Sequence, residues 1–312
     1  MHDLEAEIAE LGREGLLEAE SARRTIALER GEVFSVFDEL RFTMYTAVSG
    51  VLAGLGLVLK QNLDRIGPVV IVLALLSAAA VCYAGPIRTQ LRGAKRSVGG
   101  DYLLLLGALI LSADLGYAEA HFHWLGEHWS HHLLLLAVLH GLTAQLLRSG
   151  LVLSLALTSF ASWFGVAANE VNVFQGGNAL PESGLRAMAC AGAVLIWREW
   201  HKRSGGASEL QSVFEHFAAN IAFWGALLWC FSSGWLLSGL LAVLALGWAC
   251  IRKALRQSEE WFAVYGVGYA SVGLCAVMVR LIREPMASAV LVLGVTVCAA
   301  LLLWGIHERL KG

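Results

Sequence analysis

"FAANIAFWGALLWCFSSGWLLSGLLAVLALGWAC", residues 217–250, contains no Asp, Glu, Lys or Arg. About 20 apolar residues carry a helix across the hydrocarbon core of a bilayer, and shorter spans of about 17 occur. This run is too long for one pass. Near its middle, "CFSSGWL" supplies turn residues that divide it into two helices. "LLRSGLV" does the same further upstream, with Arg148 and Gly150 marking the break.

The same ruler, applied outward, gives ten helices. Their approximate limits are 42–59, 68–85, 101–118, 131–147, 150–168, 185–201, 215–232, 235–251, 261–280 and 286–306. Lys and Arg test the count, because they favour cytoplasmic loops. With the N-terminus on one side, that side collects 18 of the 23 basic residues and the other side 5. A wrong number of helices would scramble this alternation. The sequence therefore predicts an all-α polytopic bundle of about ten transmembrane helices, N-in and C-in. Trp197, Trp200, Trp248, Trp261 and Trp304 fall at the inner interface, and Trp163, Trp229 and Trp235 at the outer one.

Composition agrees. The 312 residues are 57% hydrophobic and 15% charged, against about 45–50% and about 25% in soluble domains. No basic tract or zinc-finger spacing suggests nucleic acid. Cys82, Cys190, Cys230, Cys250, Cys275 and Cys298 all lie in apolar stretches without a CxxC pair, which argues against disulfide or iron–sulfur chemistry. The first apolar run starts near Phe42, behind an acidic segment, and is expected to stay in the mature protein. Two regions result: an acidic cytoplasmic helical segment, 1–41, and a transmembrane helical domain, 42–312.

Residues 1–41 carry 11 of the 25 acidic residues. They read as two short amphipathic helices broken near Gly12 and Gly15, with Ser35 and Asp38 at capping-box-like spacing before the first span. A solvated collar is the plainer expectation, and a docking element for a cytoplasmic protein partner the sharper one. In the first span Gly50 and Gly54 are four apart, and in the ninth Gly266, Ala270 and Gly273 form a similar small face; both predict packing seams.

Several stretches together resemble a known group. "LGREGLLEAESARRTI", "VFDELRFTMYTAVSGVLAGLGLVLKQNLDRIGP" and "GDYLLLLGALILSADLGYAEAHFHW" through "LLLLAVLHGLTAQLLRSGLVLSLALTSFASWFGV" are similar to predicted bacterial membrane proteins grouped as a domain of unknown function (DUF-2157 type). The likeness covers roughly the first 170 residues. It implies a bacterial inner-membrane protein with a short helical N-terminal segment, and it carries over no activity or catalytic residue.

"EAHFHWLGEHWSHH", residues 119–132, departs from that group in holding five of the ten histidines. The topology places it in an external loop without Lys or Arg. His121, His123, His128, His131 and His132 are imidazole donors of the type that binds zinc or another transition metal, with Asp114 and Glu119 nearby. A helix starting near Glu127 would set His128, His131 and His132 on one face. The other expectation is a solvated loop that gains charge in mild acid. No HExxH or Cys/His finger is present. Bis-histidine haem is not expected, since His140 alone lies clearly inside a span.

Ionisable groups within a membrane are functional hypotheses by default. Here they are Asp114 near the outer end of the third helix and His140 inside the fourth, with Arg280 at an outer end and Asn220 as a further polar group. Asp114 and His140 would face each other as a proton- or ion-handling pair, or else serve as an interfacial carboxylate and a core histidine. No GxSxG, no GxxxxGK[ST] and no paired carboxylates argue for an enzyme. The expectation is a non-enzymatic membrane protein, transporter-like or an envelope scaffold or sensor; the alternative is metal or redox handling at 119–132. No cofactor is firmly implied, the bilayer is the expected surrounding, and neither substrate nor oligomeric state is readable.

Overall fold

The computed structural model describes residues 37–62, 66–93, 97–126, 130–165, 180–232, 234–282 and 284–311. Residues 1–36 of the N-terminal segment, with Ser35, and His128 lie outside the described residues.

Ten helices and no strand occur among the described residues: α1 Phe37–Asn62, α2 Pro68–Leu91, α3 Val98–Phe122, α4 His131–Leu147, α5 Gly150–Trp163, α6 Leu180–Arg203, α7 Glu209–Phe231, α8 Leu236–Gln257, α9 Glu260–Leu281 and α10 Pro285–Lys311. Seven of them (α1, α2, α3, α7, α8, α9 and α10) are long and apolar enough to cross a membrane. The apolar helices α4 and α5 are shorter, at 17 and 14 residues. Charge enters α6 at both ends, through Glu182 and Arg186 and again through Arg198 to Arg203. Several helices outrun their apolar cores, α7 beginning at Glu209 and α3 continuing to Phe122. Intrahelical hydrogen bonds persist into the headgroup region, whereas hydropathy marks only the part inside hydrocarbon.

Both internal breaks fall where turn chemistry places them. Arg148 adopts a left-handed conformation, φ 52°, as the C-cap of α4, and the Ser149 hydroxyl caps α5 by accepting from Val152 N. Helix α7 ends at Phe231, Ser232 turns to extended backbone, and α8 begins at Leu236.

Successive helices pair as α2–α3, α4–α5, α6–α7 and α8–α9, while α7 also touches α5, α8 and α9. The main core joins α3 to α7 around fully buried Val152, Leu153 and Leu157 of α5, with Phe214 of α7. Close approach needs small residues where lipid tails are as apolar as the side chains. A Cβ on Gly184 of α6 would lie 2.8 Å from Gly225 O of α7, and one on Gly247 of α8 would lie 2.9 Å from Gly266 O of α9. Gly273 likewise faces Val243, so the α9 seam is used. The α1 seam is not. A Cβ on Gly50 or Gly54 meets nothing within 4 Å among the described residues, because α1 leans on α3 through the opposite face, with Val48 against Tyr102 and Leu105. Spacing alone marks a face as smooth without saying what covers it.

Candidate functional site

Helix α3 carries the polar groups of the first half. It starts at Ser97, whose hydroxyl accepts from Gly100 N at 3.1 Å. Beside that start is a cavity of about 590 Å³, lined by Pro86, Thr89 and Gln90 of α2, Asp101 and Leu104 of α3, and Leu147 and Arg148 at the end of α4. Gln90 closes one wall by donating from Nε2 to Leu146 O at 2.6 Å. An apolar cleft with a few convergent polar and charged groups is the usual form of a small-ligand site, and its size lies within the usual range.

Further along α3, Ser112 Oγ lies 2.9 Å from Ala108 O and 2.9 Å from His140 Nε2 of α4. A serine hydroxyl has one proton. Given to Ala108 O, it leaves Ser112 to accept from His140 Nε2–H. The other ring nitrogen, Nδ1, is buried without a hydrogen-bond partner among the described residues. His140 itself is 0% exposed.

Asp114 is buried as well, and its Oδ1 has no hydrogen-bond partner among the described residues. Two residues separate it from Ser112, which is about 200° around a helix of 3.6 residues per turn. Asp114 therefore shares its face with Ile110 and Tyr117, which pack toward Ile71 and Leu75 of α2. The structure does not bring Asp114 and His140 together: they occupy opposite sides of α3, each beside an unfilled polar valence.

Glu119, also buried, accepts from Leu125 N at 3.2 Å and so ties down the chain leaving α3. The described histidines of this stretch have local tasks. His121 stacks on Tyr117 with centroids 5.9 Å apart and meets Phe122 edge-on. His123 is the left-handed C-cap of α3, its N–H donating to Glu119 O. His131 and His132 open α4, whose first residue is His131 rather than one near Glu127, and the expected face with His128 falls outside the described residues. Among the described residues no three His, Cys, Asp or Glu side chains are grouped to hold a metal.

A second constellation escaped the sequence reading. Glu215 of α7 accepts from both Arg198 of α6 and Lys253 of α8, with all three side chains between 15% and 25% exposed. The Lys253 ammonium also stands 3.7 Å from the centroid of Phe262 of α9, and His216 stacks on the same ring at 4.7 Å. Tyr269 donates to Asn220 Oδ1 at 2.8 Å, and His307 Nδ1 of α10 lies 2.9 Å from Glu260. The signal was faint: a Glu-His pair at the edge of an apolar run, with partners 17 residues before and 38 after.

Comparison with known families finds a likeness in the first half. Residues 9–153 match the DUF2157 family, described as predicted membrane proteins. The resemblance read from the sequence is thereby borne out over that stretch. The DUF2157 match includes the cavity, Ser112, Asp114 and His140, and it stops before the Glu215 cluster. Neither curated proteins nor solved structures give a match.

Proposed function

We propose that this chain is a non-enzymatic, transporter-like protein of the bacterial inner membrane, which handles a small polar solute or ion together with protons. The carrying observation is the pair of buried groups on the α3–α4 unit, Asp114 and His140, each with a polar atom that has no hydrogen-bond partner among the described residues. A buried polar atom without a partner costs about 1–3 kcal/mol, and ionisable groups at membrane depth mark substrate and proton paths. The solute enters by the cavity that Asp101 and Arg148 line. The 18-to-5 distribution of basic residues supports N-in, C-in, with that cavity facing the cytoplasm. In this reading, residues 1–41 are the acidic surface open to a cytoplasmic protein partner.

The test is proton flux in liposomes containing the purified chain and a trapped pH dye, scanned over small amino acids, sugars, organic acids and inorganic cations. Solute-dependent flux that falls more than about tenfold in Asp114→Asn and in His140→Gln is the expected result. Wild-type liposomes without flux for any solute, or variants that retain it, would overturn the reading.

Metal handling at the external loop is the second reading. It is favoured by the placement of His121 and His123 at one end of the α3–α4 connection and His131 and His132 at the other. Zinc, copper or iron at about one per chain in tag-free protein, lost on replacing His131 and His132, would establish it. Protein that takes up no metal, even after incubation with zinc, would remove it.

A further inference from the structure

The last three helices leave an opening that the proposed function does not use. Helices α8 and α10 both pack on α9, and between them runs a groove of about 760 Å³. Its floor is α9, from Gly266 to Leu274. One wall is Leu244 and Trp248 of α8, and the other is α10 from Val290 to Leu302. The depth comes from glycines. Gly247 and Gly266 draw α8 and α9 into backbone contact, while Gly294 on α10 has nothing within 4 Å of where a Cβ would stand.

The lining makes no polar demand. Ser271 already donates from its hydroxyl to Val267 O at 2.7 Å. From Val290 to Leu302 the wall rises about 18 Å at 1.5 Å per residue, close to one leaflet's share, about 15 Å, of a hydrocarbon core about 30 Å thick. The occupant is therefore apolar, elongated and one leaflet deep.

Charge at one end specifies the rest of that occupant. Leu244, Trp248, Arg252 and Arg256 recur every four residues and form one stripe on α8. The first two line the groove. The next two continue the stripe beyond it toward the membrane surface, with the Arg252 guanidinium 4.5 Å from the centroid of the Trp248 ring. Lys253 is turned away to Glu215, and Glu260 is engaged by His307. A cationic pair above an apolar slot matches a phosphate headgroup above its chain, as in basic sites for acidic lipids.

We infer that the α8–α9–α10 groove binds one acyl chain of an anionic phospholipid, with its phosphate held by Arg252 and Arg256. This does not depend on the transporter reading. Neutral and anionic lipids share the same tails, so the headgroup is the discriminating part.

The full-length chain, reconstituted in equimolar phosphatidylglycerol and phosphatidylcholine of matched chains, would be re-extracted in mild detergent and its retained lipids weighed by native mass spectrometry. One phosphatidylglycerol per chain, preferred over phosphatidylcholine by roughly fivefold for each arginine, is expected. The preference should vanish in Arg252→Ala/Arg256→Ala. Retention itself should fall in Gly294→Phe, which fills the open wall, or in Cys298→Phe should the first variant not fold. Arg203→Ala, an exposed arginine paired with Glu199, serves as the control and should keep the lipid. Equal retention of both lipids, or preference unchanged in the arginine variant, would overturn the inference. Undiminished retention in a folded groove-filling variant would do so equally.

Discussion

On α7, Glu215 lies between a guanidinium from α6 and an ammonium from α8. On α3, Asp114 shares the face of Ile110 and Tyr117, with one oxygen lacking a hydrogen-bond partner among the described residues. Both helices sit inside the bundle, and both bury a carboxyl group. Position along the helix makes the difference. Glu215 is within two turns of the end of α7, where long cationic side chains from neighbouring helices reach it while their stems stay in apolar surroundings. Asp114 is more than two turns from the end of α3, and none of the ion pairs among the described residues reaches it. A paired carboxylate at a helix end fastens helices together. An unpaired one at membrane depth costs stability, and a use for it must be sought in what it binds or releases.

This contrast breaks most readily at Glu215. Replacing it by alanine leaves two partly buried cations without their carboxylate, and the loss expected is about 3 kcal/mol, the low end for buried pairs because water reaches all three groups. Thermal unfolding in detergent measures it. The triple variant with Arg198→Met and Lys253→Met should regain most of the loss; no recovery would mean that Glu215 acts through something other than its cations. Next in size is Gly184→Ala. Its new methyl would stand 2.5 Å from Trp229 Nε1 and 2.8 Å from Gly225 O, an overpacking expected to cost about 2 kcal/mol in the same assay.

Asp114→Leu carries the opposite sign. Removing an unsatisfied carboxyl from an apolar face is expected to raise stability by about 1 kcal/mol while abolishing flux. A drop in stability instead would show that Asp114 has a structural partner, and the contrast with Glu215 would disappear. The smallest effect belongs to Gly54→Ala. With nothing within 4 Å of the new methyl, the change should stay within about 0.5 kcal/mol. A clear loss of stability in membranes would reveal that another chain covers this face.

Much of the architecture was legible because one physical quantity, the cost of exposing polar groups to hydrocarbon, writes itself into runs and breaks. "LLRSGLV" and "CFSSGWL" showed both that a turn was needed and which residues would make it. Pairing in space was another matter. Nothing local in Arg198, Glu215 and Lys253 says that they converge, since their meeting depends on how α6, α7 and α8 cross. Gly184 and Gly225 form a seam across two helices and lack the four-residue spacing within one helix by which seams are sought; Gly50 and Gly54 have that spacing and meet nothing. The separation of Asp114 from His140 was half readable. Ser112 lies two residues from Asp114, on the other side of the same helix, but that Ser112 holds His140 needed the structure.

The tight turn at Arg148 has a consequence for the lipid around it. Helix α4 has 17 residues and α5 has 14, or about 25 Å and about 21 Å at 1.5 Å per residue. Neither matches a hydrocarbon layer about 30 Å thick. Neighbouring helices of 24 and 25 residues, α2 and α3, hold the full depth. A short lipid-facing span is met by local thinning of the bilayer, whereas α5, fully buried at Val152, Leu153 and Leu157, is met by other helices. The cavity that Arg148 lines thus opens at the joint between the two shortest helices among the described residues.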